Sequence, residues 1–416
     1  MHGTIGGDPG AQRFFHQPKA VWATAFAAVV GFMSIGLVDP ILTSIAAGLN
    51  ASASQVSLLF TSYFAVTALM MLITGFVSSR IGGRNTLLLG AALVAVFAAL
   101  SGTSNSVTEL VLYRAGWGLG NALFVATALA VIVSHARGGS MAAILMYEAA
   151  LGLGISVGPL LGAALGELSW RYPFFGTAAL MLIGFVAIAV FLERQPAPKL
   201  KQSKQKTSLL DPIKALSHGG LATVATSAFF YNYAFFTVLA FVPFVLRMSA
   251  YTIGAIFFGW GVLLALFSVV VAPRLQLRFS SLALAAGCLL ALAACLVAIA
   301  FGSAPVIIAA VVLSGAVMGL NNTVYTEMAL EVSEAPRPVA SAGYNFVRWF
   351  AGVIAPYAAP EIAERFNPTL SFMLAAFAAL LAAAILFVLK RQLGRFGATR
   401  RVAALVNDPV PHLTEA

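Results

Sequence analysis

Glu193-Arg-Gln-Pro-Ala-Pro-Lys-Leu-Lys-Gln-Ser-Lys-Gln-Lys-Thr-Ser-Leu-Leu-Asp-Pro-Ile-Lys214 is the long polar, lysine-rich break in a chain that is otherwise almost continuously apolar. On both sides of it run stretches of about 20 apolar residues, the length a helix needs to cross a hydrocarbon core. The break therefore divides the 416 residues into two near-equal halves, each with room for six spans. Its prolines, lysines and amides cannot build a core, so it is expected to be a flexible tether lying along an anionic leaflet.

Composition agrees with that division. Hydrophobic residues make up 60% of the chain and charged residues 9%, whereas about a quarter of a soluble protein is charged. The apolar runs predict spans at 21–47, 54–79, 85–103, 106–134, 140–166, 172–192, 216–247, 251–273, 279–301, 303–330, 339–362 and 368–389. The expected architecture is an all-α membrane protein with twelve transmembrane helices in two pseudo-symmetric six-helix bundles. Its parts would be an N-terminal tail (1–19), a first bundle (20–193), the linker (194–214), a second bundle (215–391) and a C-terminal tail (392–416). Met1 to Lys19 has no apolar run of the kind a cleavable signal carries, so the first span is expected to be retained.

The net charge of +10 would suit nucleic acid, but its placement argues for a membrane. With the spans above, 19 of the 24 Lys and Arg fall on the side of both termini and the linker. Only Arg171, Arg247 and Arg365 fall on the other side, and Arg114 and Arg348 lie inside spans. Basic loops resist translocation, which puts both termini in the cytoplasm of a cell whose inner membrane holds the chain. The two cysteines, Cys288 and Cys295, share one apolar stretch and read as packing residues, with no disulfide or metal spacing.

Several short segments carry more than topology. Gly75-Phe-Val-Ser-Ser79-Arg80-Ile-Gly82-Gly83-Arg84-Asn85 is a basic turn between spans two and three. Glycines permit its reversal, and Arg80 and Arg84 are placed to hold phosphate headgroups or helix C-terminal ends across the interface between the halves. Leu112-Tyr-Arg114-Ala-Gly116-Trp-Gly118-Leu-Gly120 sets an arginine inside span four. Gly154-Ile-Ser-Val-Gly158-Pro159-Leu-Leu-Gly162 is a seam of small residues in span five, suited to close helix approach in lipid. In order and at these spans, the three segments resemble the major facilitator superfamily, and within it the twelve-span drug:proton antiporters that include bacterial multidrug exporters. The resemblance implies a cytoplasmic gate loop at Gly75 to Arg84, in which Ser79 stands where the family carries an acid that latches the gate. It also implies an antiporter seam at Gly154, Gly158, Pro159 and Gly162, and a central cavity lined by spans one and four.

Ionisable groups inside spans are costly and mark function. Asp39 in span one and Arg114 in span four fall at similar depth, so with those helices side by side the two can pair. An adjacent arginine favours the carboxylate and burial favours the neutral acid, an alternation that proton coupling requires. A static ion pair that only orients helices is the structural alternative. Glu148, inside span five, is a further candidate for coupling or for contact with a cationic substrate. In the second half, Arg348 is expected to pair with Glu327.

The remaining cavity candidates are Tyr63, Asn121, Tyr231, Asn232, Tyr233, Asn321, Asn322, Tyr325 and Asn345. Their ring faces would take flat cationic molecules, and the competing role is ordinary hydrogen bonding between helices. No phosphate-cradling loop, His-Glu-x-x-His or nucleophile elbow occurs, so neither a cofactor, a metal nor an enzymatic activity is expected. The expectation is a monomeric, proton-coupled secondary transporter exporting small lipophilic or cationic compounds by alternating access. An exporter dedicated to one metabolite, sugar or lipid intermediate is the alternative within transport. A membrane sensor or intramembrane enzyme is the rival class.

Overall fold

The computed structural model describes residues 17–137, 139–193 and 210–397. Among the described residues there are twelve long helices: Lys19–Gly48, Ala53–Ile81, Gly83–Thr103, Val107–His135, Gly139–Gly166, Tyr172–Phe191, Gly219–Leu246, Ala250–Gln276, Ser281–Phe301, Ala304–Glu331, Arg337–Arg365 and Pro368–Val388. Eleven are apolar enough to span a membrane on composition alone. The other, span eleven (Arg337–Arg365), has the length but carries Arg348, Asn345, Glu361 and Glu364 along it. Most of the expected linker lies outside the described residues, but its end forms a short helix, Asp211–Ala215, against span eleven. A Cβ at Gly343 would come within 2.6 Å of the Pro212 carbonyl.

Helix starts follow local chemistry. Ser52, Ser106, Ser249, Ser280 and Asn367 each accept a hydrogen bond from the backbone N–H three residues on, satisfying a donor that the first turn leaves free. Two spans depart from the continuous helices expected. Span one runs as an α-helix only to Gly36, passes through a 3-10 turn at Asp39–Ile41 and resumes at Leu42–Gly48. Pro40 is the physical reason, since it has no N–H to donate and its ring crowds the preceding turn. Span eight contains a π-helical segment, Phe267–Val271, just before Pro273, where the Thr323 hydroxyl of span ten donates to the Ser268 carbonyl at 3.1 Å.

Within the first half, span five lies along span one in register. Cβ atoms at Gly154, Gly158 and Gly162 would lie 2.5, 2.6 and 2.1 Å from the carbonyl oxygens of Val29, Met33 and Leu37. Only glycine leaves room for that approach. Another face of span five meets span eight, where Gly254 abuts Pro159 and Ala163 and Gly261 abuts Ser156. Spans two and eleven form a second contact between the halves. There Thr61 donates to the Val353 carbonyl at 2.8 Å, and Ser54 donates to Glu364 through its backbone N–H and its hydroxyl, both at 3.1 Å. These contacts run from the side opposite the termini, the far side, to the middle of the bundle.

Candidate functional site

Three helices bring the polar residues of the first half together. The break in span one carries Asp39 into the core at 0% exposure, and span four contributes Arg114, also at 0%. The guanidinium carbon of Arg114 lies 4.5 Å from the Tyr63 ring centroid and 4.6 Å from that of Trp117. Tyr63 comes from span two, with its hydroxyl 3.4 Å from Ser34 Oγ, and Thr67 one turn on donates to the Gly118 carbonyl at 3.1 Å. Asn121 is buried against span one, beside Gly31.

Asp39 and Arg114 are within electrostatic reach of each other but do not form the expected contact pair. Among the described residues, no hydrogen bond or ion pair reaches the Asp39 carboxylate or any nitrogen of Arg114. The guanidinium is instead positioned by two rings, a cation–π arrangement that desolvation strengthens. Trp117 is not among the cavity candidates that the sequence offers, although it follows Arg114 by three residues, the spacing that stacks two side chains on one helix face. The side chain of Glu148 lies outside the described residues.

At the gate loop Gly82 has φ +83°, a conformation that favours glycine, and Gly83 opens span three. Arg84 donates from Nε to the Leu192 carbonyl at 2.6 Å and from Nη2 to the Ala189 carbonyl at 2.8 Å. It therefore caps the C-terminal end of span six within its own half, rather than bridging the halves. Arg80 lies over the Phe76 ring at 4.7 Å, and the Ser79 hydroxyl donates to the Phe76 carbonyl at 2.7 Å. The residue in the family's acid position thus bonds its own helix. Gly75 faces open space.

In the second half several cavity candidates are structural. Tyr231 donates to the Met318 carbonyl at 2.9 Å and stacks on Tyr325 with centroids 5.6 Å apart. The Tyr325 hydroxyl lies 2.6 Å from Ser227 Oγ, and the Asn232 amide donates to the Ala228 carbonyl of its own helix at 2.8 Å. All three are buried, as is Asn321. Tyr233, Asn322, Asn345 and Arg348 remain half-buried, and Asn345 donates to Ser341 Oγ at 3.1 Å.

The expected Arg348–Glu327 pair does not form. Arg348 Nη1 donates to Asn322 Oδ1 at 2.8 Å, while Glu327 accepts a hydrogen bond from Gln276. Gln276 at the end of span eight takes up Glu327, and Asn322 of span ten accepts from Arg348. Next to Arg348, Trp349 joins Phe64 of span two at 5.3 Å and Phe236 of span seven at 6.0 Å, a ring cluster across the halves. Two surface grooves, one around Trp22, Phe26 and Phe191 and one around Leu275, Cys288 and Leu320, contain none of the candidate site residues.

Residues 24–356 match the sequence profile of the Major Facilitator Superfamily. The chain is 50% identical over 353 residues to the multidrug efflux protein YfmO of Bacillus subtilis (strain 168), covering 84% of this chain and 88% of that protein. It is 30% identical over 188 residues to the tetracenomycin C resistance and export protein of Streptomyces glaucescens, covering 44% of this chain and 35% of that one. A bacterial homologue of the human lysosomal transporter Spinster, in an inward-facing and unoccupied conformation, superposes with a TM-score of 0.74 at 14% identity. That superposition covers 94% of this chain and 99% of the other.

Proposed function

Because the chain belongs to the Major Facilitator Superfamily and is a multi-pass membrane transporter, we propose that it exports small lipophilic or cationic compounds in exchange for protons. The substrate breadth is supported by a relative at 50% identity that is named for multidrug efflux. Alternating access follows from two six-helix groups that meet along spans two with eleven and five with eight, with binding near the middle of the bundle. On the far side Glu364 of span eleven holds the start of span two, a contact that must open in such a cycle.

One observation carries the coupling: an Asp39 carboxylate with no hydrogen-bond partner among the described residues, buried beside a ring-held Arg114. A structural ion pair would have its charges in contact. A carboxylate near a fixed cation but not neutralised by it changes protonation when access to water changes. In this mechanism Asp39 carries the proton, Arg114 sets its affinity and Glu148 assists. The glycine seam with Pro159 keeps span five tight on span one while its other face slides against span eight. The chain works as a monomer in an inner membrane, with both termini cytoplasmic, as an antiporter rather than an enzyme.

Everted membrane vesicles test this directly. Asp39→Asn abolishes proton-driven efflux of ethidium while expression is retained; normal efflux by that variant under a pH gradient overturns the assignment.

A further inference from the structure

The fold treats its two intramembrane arginines differently. Arg114 is fully enclosed and lies against the rings of Tyr63 and Trp117. Arg348 is half-buried, 11 residues into span eleven and therefore about 16 Å from the end on the side of the termini. Its hydrogen bonds among the described residues all leave from Nη1, to Asn322 Oδ1 at 2.8 Å and to the Tyr344 hydroxyl at 3.4 Å. Nε is buried without an acceptor. No carboxylate pairs with the guanidinium among the described residues.

Both partners of Arg348 are neutral, so they orient the guanidinium without cancelling its charge. The edge they leave, Nε with Nη2, is one that grips a carboxylate side-on through two parallel hydrogen bonds. An uncompensated cation at this depth is costly, and a buried donor without an acceptor adds to that cost. A bound oxyanion removes both. Beside the guanidinium lies an apolar platform: the Trp349 ring is 5.5 Å from the guanidinium carbon and packs 5.3 Å from Phe64, which itself lies 4.4 Å from Phe236.

We infer that Arg348 recognises an acidic group, a carboxylate or sulfonate, on a lipophilic aromatic substrate whose ring system stacks on Trp349. The exporter then handles amphipathic organic anions. This rests on the efflux reading above and narrows it, since Arg348 repels the cationic members of that substrate class. Asn322 and Tyr344 are positioning residues, holding the guanidinium fork in the plane that meets the oxyanion.

A pair of probes of the same shape and opposite charge tests the inference: 2-naphthoate and 2-naphthylmethylammonium, titrated against the purified full-length protein by tryptophan fluorescence. The wild-type protein binds naphthoate more tightly. The naphthoate-to-ammonium affinity ratio falls by about tenfold or more in Arg348→Gln, the size expected for losing a charged hydrogen-bonded contact, and Arg348→Lys restores part of it. Equal binding of the two probes by wild-type protein, or a preference for the ammonium, overturns the inference whatever the variants do. So does an unchanged ratio in Arg348→Gln. Proteoliposome export separates this from the efflux reading. Wild-type protein that exports neither ethidium nor naphthoate sinks efflux itself, whereas ethidium export without charge discrimination sinks only the role of Arg348.

Discussion

Glu364, near the far-side end of span eleven, accepts two hydrogen bonds from Ser54, one from its backbone N–H and one from its hydroxyl, both at 3.1 Å. Ser54 follows the Ser52 N-cap of span two, so the carboxylate lies at the positive end of a helix in the other half. The contact fastens the two halves on the far side. Glu364→Gln removes the charge and is expected to loosen it by about 1 kcal/mol, roughly a fivefold shift in population, because the carboxylate is solvent-exposed. Ser54→Ala, which keeps the backbone donor, shifts it less. Spin labels on the far-side ends of spans two and eleven read the change as a longer distance; identical distance distributions in both variants would show that the contact is not a latch.

Arg84 and Arg80 share a loop but have different roles. Arg84→Ala leaves the Leu192 and Ala189 carbonyls without their donors and frees the end of span six, so it lowers the unfolding temperature in detergent and slows turnover. Arg80, stacked on Phe76 at the surface, is expected to leave the unfolding temperature of Arg80→Ala near that of the parent. Equal losses in the two variants would contradict this division.

Close packing of spans one and five depends on single atoms. Gly162→Ala places a Cβ 2.1 Å from the Leu37 carbonyl oxygen, so backbone must move, at about 1–3 kcal/mol. Gly287→Ala in span nine meets nothing within 4 Å, and Ala is the better helix former there. Thermal unfolding should separate the pair, with Gly162→Ala lower by several degrees and Gly287→Ala equal to or above the parent.

Tyr325→Phe keeps the stack on Tyr231 but removes the hydroxyl that bonds Ser227, at about 1 kcal/mol. The expected readout is stability. If the variant unfolds with the parent, the hydroxyl has no structural role and the cavity reading of this residue returns.

The spans were legible because apolar length in lipid is a local property, and eleven of the twelve helices meet it unaided. Span eleven is less apolar, since Arg348 and Glu364 serve contacts with other helices and Glu361 pairs with Arg365 of its own. The seam at Gly154, Gly158 and Gly162 was legible as a close approach, though its partner, the carbonyls of span one, was not. Tyr231 and Tyr325 show why polar residues in spans are ambiguous: a hydroxyl aimed at a substrate and one aimed at a neighbouring helix look identical in sequence.

By itself the sequence determined the number of long apolar spans and the few places where charge enters them. Each follows from short-range chemistry: the apolar length a helix needs and the cost of placing charge in lipid. Only the tertiary structure decided what those charges meet. It set Arg114 against two rings rather than on Asp39, turned Arg348 to Asn322 rather than Glu327, and brought Glu364 to Ser54. Partners of a charge are fixed by the rotation and depth of helices far apart in the chain, and a spacing along one helix does not encode either.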